Sequence, residues 1–134
     1  MGQICAKIVS EDILIMAMQE IALDEQECKY MQTLAESIGY KAVFSEITRR
    51  PDGAVINGLC TMLRKGIQYE QITVPDVPNN CVTILQVFRQ STSAMLFVNV
   101  HLRAKWTDAE RGSVLTKVME FIAKNQCDAV LRMV

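Results

Sequence analysis

The chain has 134 residues, half of them hydrophobic, and a formal net charge of −1. That length makes one compact domain over 1–134 and excludes two ordinary ones. The balanced charge excludes the domain-wide positive field of a non-specific nucleic-acid binder, though not a local basic patch. No apolar run reaches the roughly 20 residues of a membrane span.

Five cysteines, at 5, 28, 60, 81 and 127, form no C-x-x-C pair, and there is a single histidine. That pattern argues against zinc and for free thiols in a reducing compartment, so an intracellular and cytoplasmic protein is expected. The start, MGQICAKI, has Ala6 where a myristoylation signal needs Ser or Thr.

In chain order, DILIMAMQE (12–20) is a short apolar run suited to a buried strand. The segment 23–40 predicts a helix. Asp24 caps it, Met31, Leu34, Ala35 and Ile38 make one apolar face, and Gly39 stops it. YKAVFSEI alternates like a strand, and a turn at Pro51-Asp52-Gly53 feeds another apolar run. GIQYEQITV and CVTILQVFRQ are two more strands around the loop PDVPNN. A tight turn at Ser91-Thr92-Ser93 leads into AMLFVNVHL. The second helix, 106–125, starts with Thr107 and Glu110 at capping-box spacing and buries Val114, Val118, Phe121 and Ile122. CDAVLRMV closes the chain as a strand. The order β-α-β-β-β-β-β-α-β is a mixed α/β fold, with an antiparallel meander expected between two helical crossovers.

Two strand ends carry chemistry. Glu20 ends the first strand, a position where active sites form in α/β sheets. His101 ends the AMLFVNVHL run, and Arg103 and Lys105 follow at alternate positions. If the extended conformation continues, all three point to one side and make a cationic cluster suited to a phosphate. Arg49 and Arg50, just before the turn, add a second positive patch. Each feature also has an ordinary reading: a solvated carboxylate, a structural histidine, a solvated loop ahead of a helix.

Four segments in order resemble the endonuclease/exonuclease/phosphatase superfamily. ILIMAMQEI resembles its ILxLQEV signature, RRPDGAVI its (R/K)xPDGxA(I/L) strand, LFVNVHLRAKW its xVxTHLKAR, and TKVMEFIAKNQCDAVLRMV the helix and strand before GDFN. The PDG and HLRAK forms resemble the deadenylase-like branch, with nocturnin, the Angel proteins and the carbon-catabolite-repression deadenylases. The resemblance implies a four-layer α/β sandwich (DNase I-like) and Mg²⁺-dependent phosphodiester or phosphoester hydrolysis. Glu20 is then the Mg²⁺ ligand, and His101 the residue beside the scissile phosphate. By the resemblance Arg103 and Lys105 would bind substrate phosphates, and Arg50 of the second patch is expected to join them.

The expected activity is that of a 3′-exoribonuclease acting on poly(A), or of a phosphatase acting on a nucleotide phosphate. The family's GDFN and final Asp-His pair would lie beyond Val134, and Val100 and the exchanged Arg103 and Lys105 depart from its pattern. An incomplete domain is therefore expected, covered by a homodimer or another partner over one sheet face. The alternatives are a degenerate nuclease-fold module that binds RNA or a protein without catalysis, and an α/β domain whose motif matches are accidental.

Overall fold

The computed structural model describes residues 15–78, 80–88, 94–125 and 128–133. Cys5, Cys127, residues 12–14 of the first strand and the Ser91-Thr92-Ser93 turn lie outside them. The elements are β1 (Ile15–Ile21), α1 (Glu25–Ser37), β2 (Tyr40–Phe44), β3 (Gly58–Arg64), β4 (Gln68–Ile72), β5 (Val82–Phe88), β6 (Ala94–Val100), α2 (Asp108–Asn125) and β7 (Asp128–Met133).

The expected element order is present, but the meander is broken in two. β1, β3 and β2 form one sheet in that order, all neighbours antiparallel. β4, β5, β6 and β7 form a second sheet, antiparallel except for the parallel β6–β7 pair that α2 connects. The chain changes sheets between β3 and β4 through the turn at Lys65-Gly66.

Strand alternation explains the layers, because successive side chains face opposite sides of a sheet. On β3, Cys60 and Met62 turn to α1, where they pack with Met31 and Ala35. Leu63 turns the other way and meets Leu85, Val87 and Phe97 of the second sheet. On that sheet Ile84, Leu96 and Val98 pack under Val114 and Val118 of α2. The result is helix, sheet, sheet, helix, which is the expected α/β sandwich.

It also corrects one expectation. The sheet face thought to lack a partner layer is covered within the chain, and Leu63 and Leu85 on it are fully buried. The two sheets bury each other's apolar faces there.

Local signals behave as their chemistry requires. Asp24 accepts from the Glu27 amide at 2.8 Å, and Glu27 accepts from the Asp24 amide at 3.2 Å, a full capping box. Thr107 and Glu110 repeat it at 3.2 and 3.1 Å. Gly39, just past α1, has φ +83°, a left-handed value that other residues adopt at a cost.

The turn expected at Pro51-Asp52-Gly53 is present, but the apolar run it feeds becomes a strand later than expected. Pro51–Gly53 is a turn beside a single bridge between Arg49 and Val55, and the strand starts only at Gly58. Pro51 and Gly53 favour the turn over a ladder. Cys28, Cys60 and Cys81 are free thiols. No helix among the described residues is long and apolar enough to cross a membrane.

Candidate functional site

The ends of β1 and β6 meet across the two sheets. β1 carries an irregularity between Met18 and Ile21, where its register against β3 slips. Glu20 sits in that bulge with φ +58°. A bulge re-aims a side chain and strengthens the local twist, and a non-glycine residue held at positive φ is strained. The outcome is that the Glu20 carboxylate, 64% exposed, turns toward His101, with Oε1 at 3.7 Å from Nε2.

His101 follows the last residue of β6, and its amide still donates to the Cys81 carbonyl at 2.9 Å. Its ring is largely buried, at 14% exposure. Nδ1 has no hydrogen-bond partner among the described residues. Leaving a buried ring nitrogen unpaired costs about 1–3 kcal/mol, so the ring is held by its surroundings rather than by its own bonds.

Gln19 and Asn99, each next to or near a site residue, hold the two sheets in register. Asn99 is fully buried and two residues before His101. Its Oδ1 accepts from Gln19 Nε2 at 2.7 Å. Its Nδ2 lies 3.3 Å from the Met18 carbonyl, 3.4 Å from the Cys60 carbonyl and 3.3 Å from Thr61 Oγ1. One side chain of β6 is thereby bonded to both β1 and β3, just behind Glu20 and His101. Sequence analysis singled out neither residue. The only signal was a polar residue inside each of two apolar runs, with nothing to pair them.

Glu20, His101, Arg50, Arg103 and Lys105 line one open cleft of about 420 Å³. Asn57, just ahead of β3, lines it too and was not singled out. The cations reach the cleft by a different route from simple alternation. The extended conformation stops at Val100, and residues 104–105 form a turn closed by the Trp106 amide on the Arg103 carbonyl at 3.1 Å. Arg103 is half-buried with its guanidinium over the Trp106 ring, 5.8 Å from the centroid. Lys105 is exposed.

The second basic patch is reduced to one residue. Arg49 donates to Glu25 Oε2 at 2.6 Å and to the Gly53 carbonyl at 2.9 Å, which ties the turn to α1. Arg50 lines the cleft, and its Nε makes a loose contact to Asp52 at 3.7 Å.

Three cations and one carboxylate around an open cleft can bind a phosphate and, through Glu20, a hard cation. Mg²⁺ takes oxygen ligands and keeps several waters, so one or two carboxylates suffice for it. Glu20 and the Asn57 amide are donors of that kind. Among the described residues no group of three or more His, Cys, Asp or Glu could hold a metal by itself.

The comparisons agree on architecture. The structure is similar to the endonuclease domain of TRAS1, a telomere-specific non-LTR retrotransposon, with a TM-score of 0.65 and 13% identity over 98% of this chain and 51% of that one. The chain has a DNase I-like fold. It is similar also to ANGEL2, a 2′,3′-cyclic phosphatase, with a TM-score of 0.55 and 19% identity over 78% of this chain and 31% of that one. A truncated TDP2 from Caenorhabditis elegans gives 0.56 and 18% over 92% and 49%. The chain spans between about a third and a half of these DNase I-like structures. No protein-family model matches it, and no curated protein matches it by sequence.

Proposed function

We propose that the cleft belongs to a Mg²⁺-dependent phosphodiester hydrolase acting on nucleic acid, and that its finer activity is 3′-exoribonucleolytic removal of adenylate. The observation that carries the reading is the meeting of Glu20 and His101, 3.7 Å apart, at a cleft lined by Arg50, Arg103 and Lys105. Glu20 would hold Mg²⁺, which would supply positive charge to the substrate phosphate. His101 donates from Nε2 to the phosphate oxygen on which negative charge grows. Lys105 and Arg50 bind the flanking phosphates as mobile charges. Arg103, stacked on Trp106, offers a more fixed guanidinium fork.

The test is Mg²⁺-dependent hydrolysis of end-labelled oligo(A). Glu20→Ala and His101→Ala are each expected to lose about 100-fold or more, the scale of removing a metal ligand or an oxyanion donor. Stepwise loss of mononucleotides from the 3′ end supports the exoribonuclease reading. Internal cuts, or nicking of plasmid DNA, would replace it with an endonuclease. A second reading, a module that binds RNA without turnover, rests on the cations Arg50, Arg103 and Lys105 around the cleft. Its mark is binding that weakens with salt, needs no Mg²⁺ and is accompanied by no cleavage.

A further inference from the structure

We propose that Arg111, in the first turn of α2, is the residue that fixes the 101–106 loop in the shape that presents Arg103 and Lys105 to the cleft. The inference deepens the phosphate-site reading and rests on it for its functional half. Nη1 of Arg111 donates to the carbonyl oxygens of Arg103, Ala104 and Trp106, at 3.2 Å for the first two. Nη2 donates to Asp108 Oδ1 at 2.6 Å.

Those carbonyls belong to the turn that replaces the extended strand. A turn leaves its carbonyls without ladder partners, and a guanidinium supplies several donors in one rigid plane. Leu102 and Trp106 pack on the core under α2, which seats the two ends of the loop. Arg103 lies over the Trp106 ring, and Lys105 sits between carbonyls that Arg111 holds. Arg111 thus touches the backbone of the phosphate-facing residues from behind and acts as a positioning residue.

The Asp108 contact has a separate role. Its side chain is fully exposed, and an exposed ion pair contributes little. The three carbonyl contacts are therefore expected to do the positioning; all start from Nη1, whose two hydrogens are shared among the three oxygens.

Trp106 is the only tryptophan of the chain, so its fluorescence reports this loop alone. The experiment compares acrylamide quenching of Trp106 in wild type, Arg111→Gln, Arg111→Lys and Asp108→Asn, with far-UV circular dichroism and thermal melting as the folding control. Quenching is expected to rise about twofold in Arg111→Gln, which loses the charged donor, and less in Arg111→Lys, whose shorter side chain keeps a charged nitrogen with several N–H donors. Asp108→Asn is expected to match wild type. Unchanged quenching in a folded Arg111→Gln, or an equal rise in Asp108→Asn, overturns the proposal.

A second readout is the affinity of labelled oligo(A) in EDTA. It should fall about tenfold in Arg111→Gln and by a similar factor in Lys105→Ala, the scale of one charge-assisted contact. An exposed Trp106 with wild-type oligo(A) affinity would overturn the positioning role. Failure of wild type to bind oligo(A) would count against the function proposed above, while the quenching result would still decide whether Arg111 fixes the loop.

Discussion

Glu20 occupies a backbone conformation that suits glycine, and it does so beside the histidine of the cleft. Left-handed φ costs a side-chain-bearing residue about 1–2 kcal/mol. Glu20→Gly is therefore expected to be more stable than Glu20→Ala by about 1 kcal/mol, against the usual order in which glycine is the worse of the two. Urea unfolding of the two variants checks this. A less stable glycine variant would mean that the bulge is not strained. Both variants lack the carboxylate, so both should lose the proposed turnover alike, which separates the strain from the chemistry.

Cys81 is a second residue whose neighbours decide its behaviour. Burial pushes its thiol up from the ordinary 9.0, and the Arg103 guanidinium beside it offsets part of that rise. The unfolded thiol then ionises first as pH rises. Above about pH 9 the unfolded state holds fewer protons than the folded one, so stability falls with rising pH. Cys28 adds in the same direction, pushed up by burial and by Asp24, Glu25 and Glu27. Melting temperature in Cys81→Ala should decline less between pH 8 and pH 10 than in wild type. Equal slopes would show that Cys81 is not the group responsible.

At the scale of elements, the start of β3 limits what can change near the site. A Cβ built on Gly58 would stand 2.6 Å from Ser45 Oγ. That hydroxyl accepts the Leu59 amide at 2.9 Å and cannot move away without losing it. Gly58→Ala is expected to cost about 1–3 kcal/mol, the range for overpacking. Adding Ser45→Ala should remove the clash, so the double variant should be less destabilised than the sum of the singles. Chemical denaturation of the four proteins completes the cycle, and simple additivity would rule out the contact. The helix caps at Asp24 and Thr107 were legible in the sequence because a cap is complete within four residues. The start of β3 was not, because the apolar residues 54–56 ahead of it read as part of the same strand, yet form only the single bridge from Val55 to Arg49.

For the whole molecule, the connection between sheets at Asn99 is the feature to disturb. Asn99→Asp keeps the shape and replaces the Nδ2 donor by an acceptor facing two carbonyls and the Thr61 hydroxyl. It is expected to destabilise the chain by about 2–4 kcal/mol, since buried acceptors are left unpaired and a charge is added. Differential scanning calorimetry should show a clear drop in melting temperature. A melting temperature near that of wild type would mean that apolar burial alone holds the sheets together. The layers themselves were foreseen through family resemblance, not through periodicity, which cannot say that β3 and β4 belong to different sheets.

The sequence by itself determined the order of elements, the apolar faces of both helices, their caps, and the strand ends at Glu20 and His101. All of these rest on interactions within a few residues. Only the tertiary structure decided that β1 and β6 end side by side, that Arg49 is spent on Glu25 while Arg50 faces the cleft, and that Gln19 pairs with Asn99 at a sequence separation of 80. Partners so far apart leave no periodic trace. Their meeting depends on how two sheets stack, and that is set by the summed burial of many side chains rather than by any local pattern.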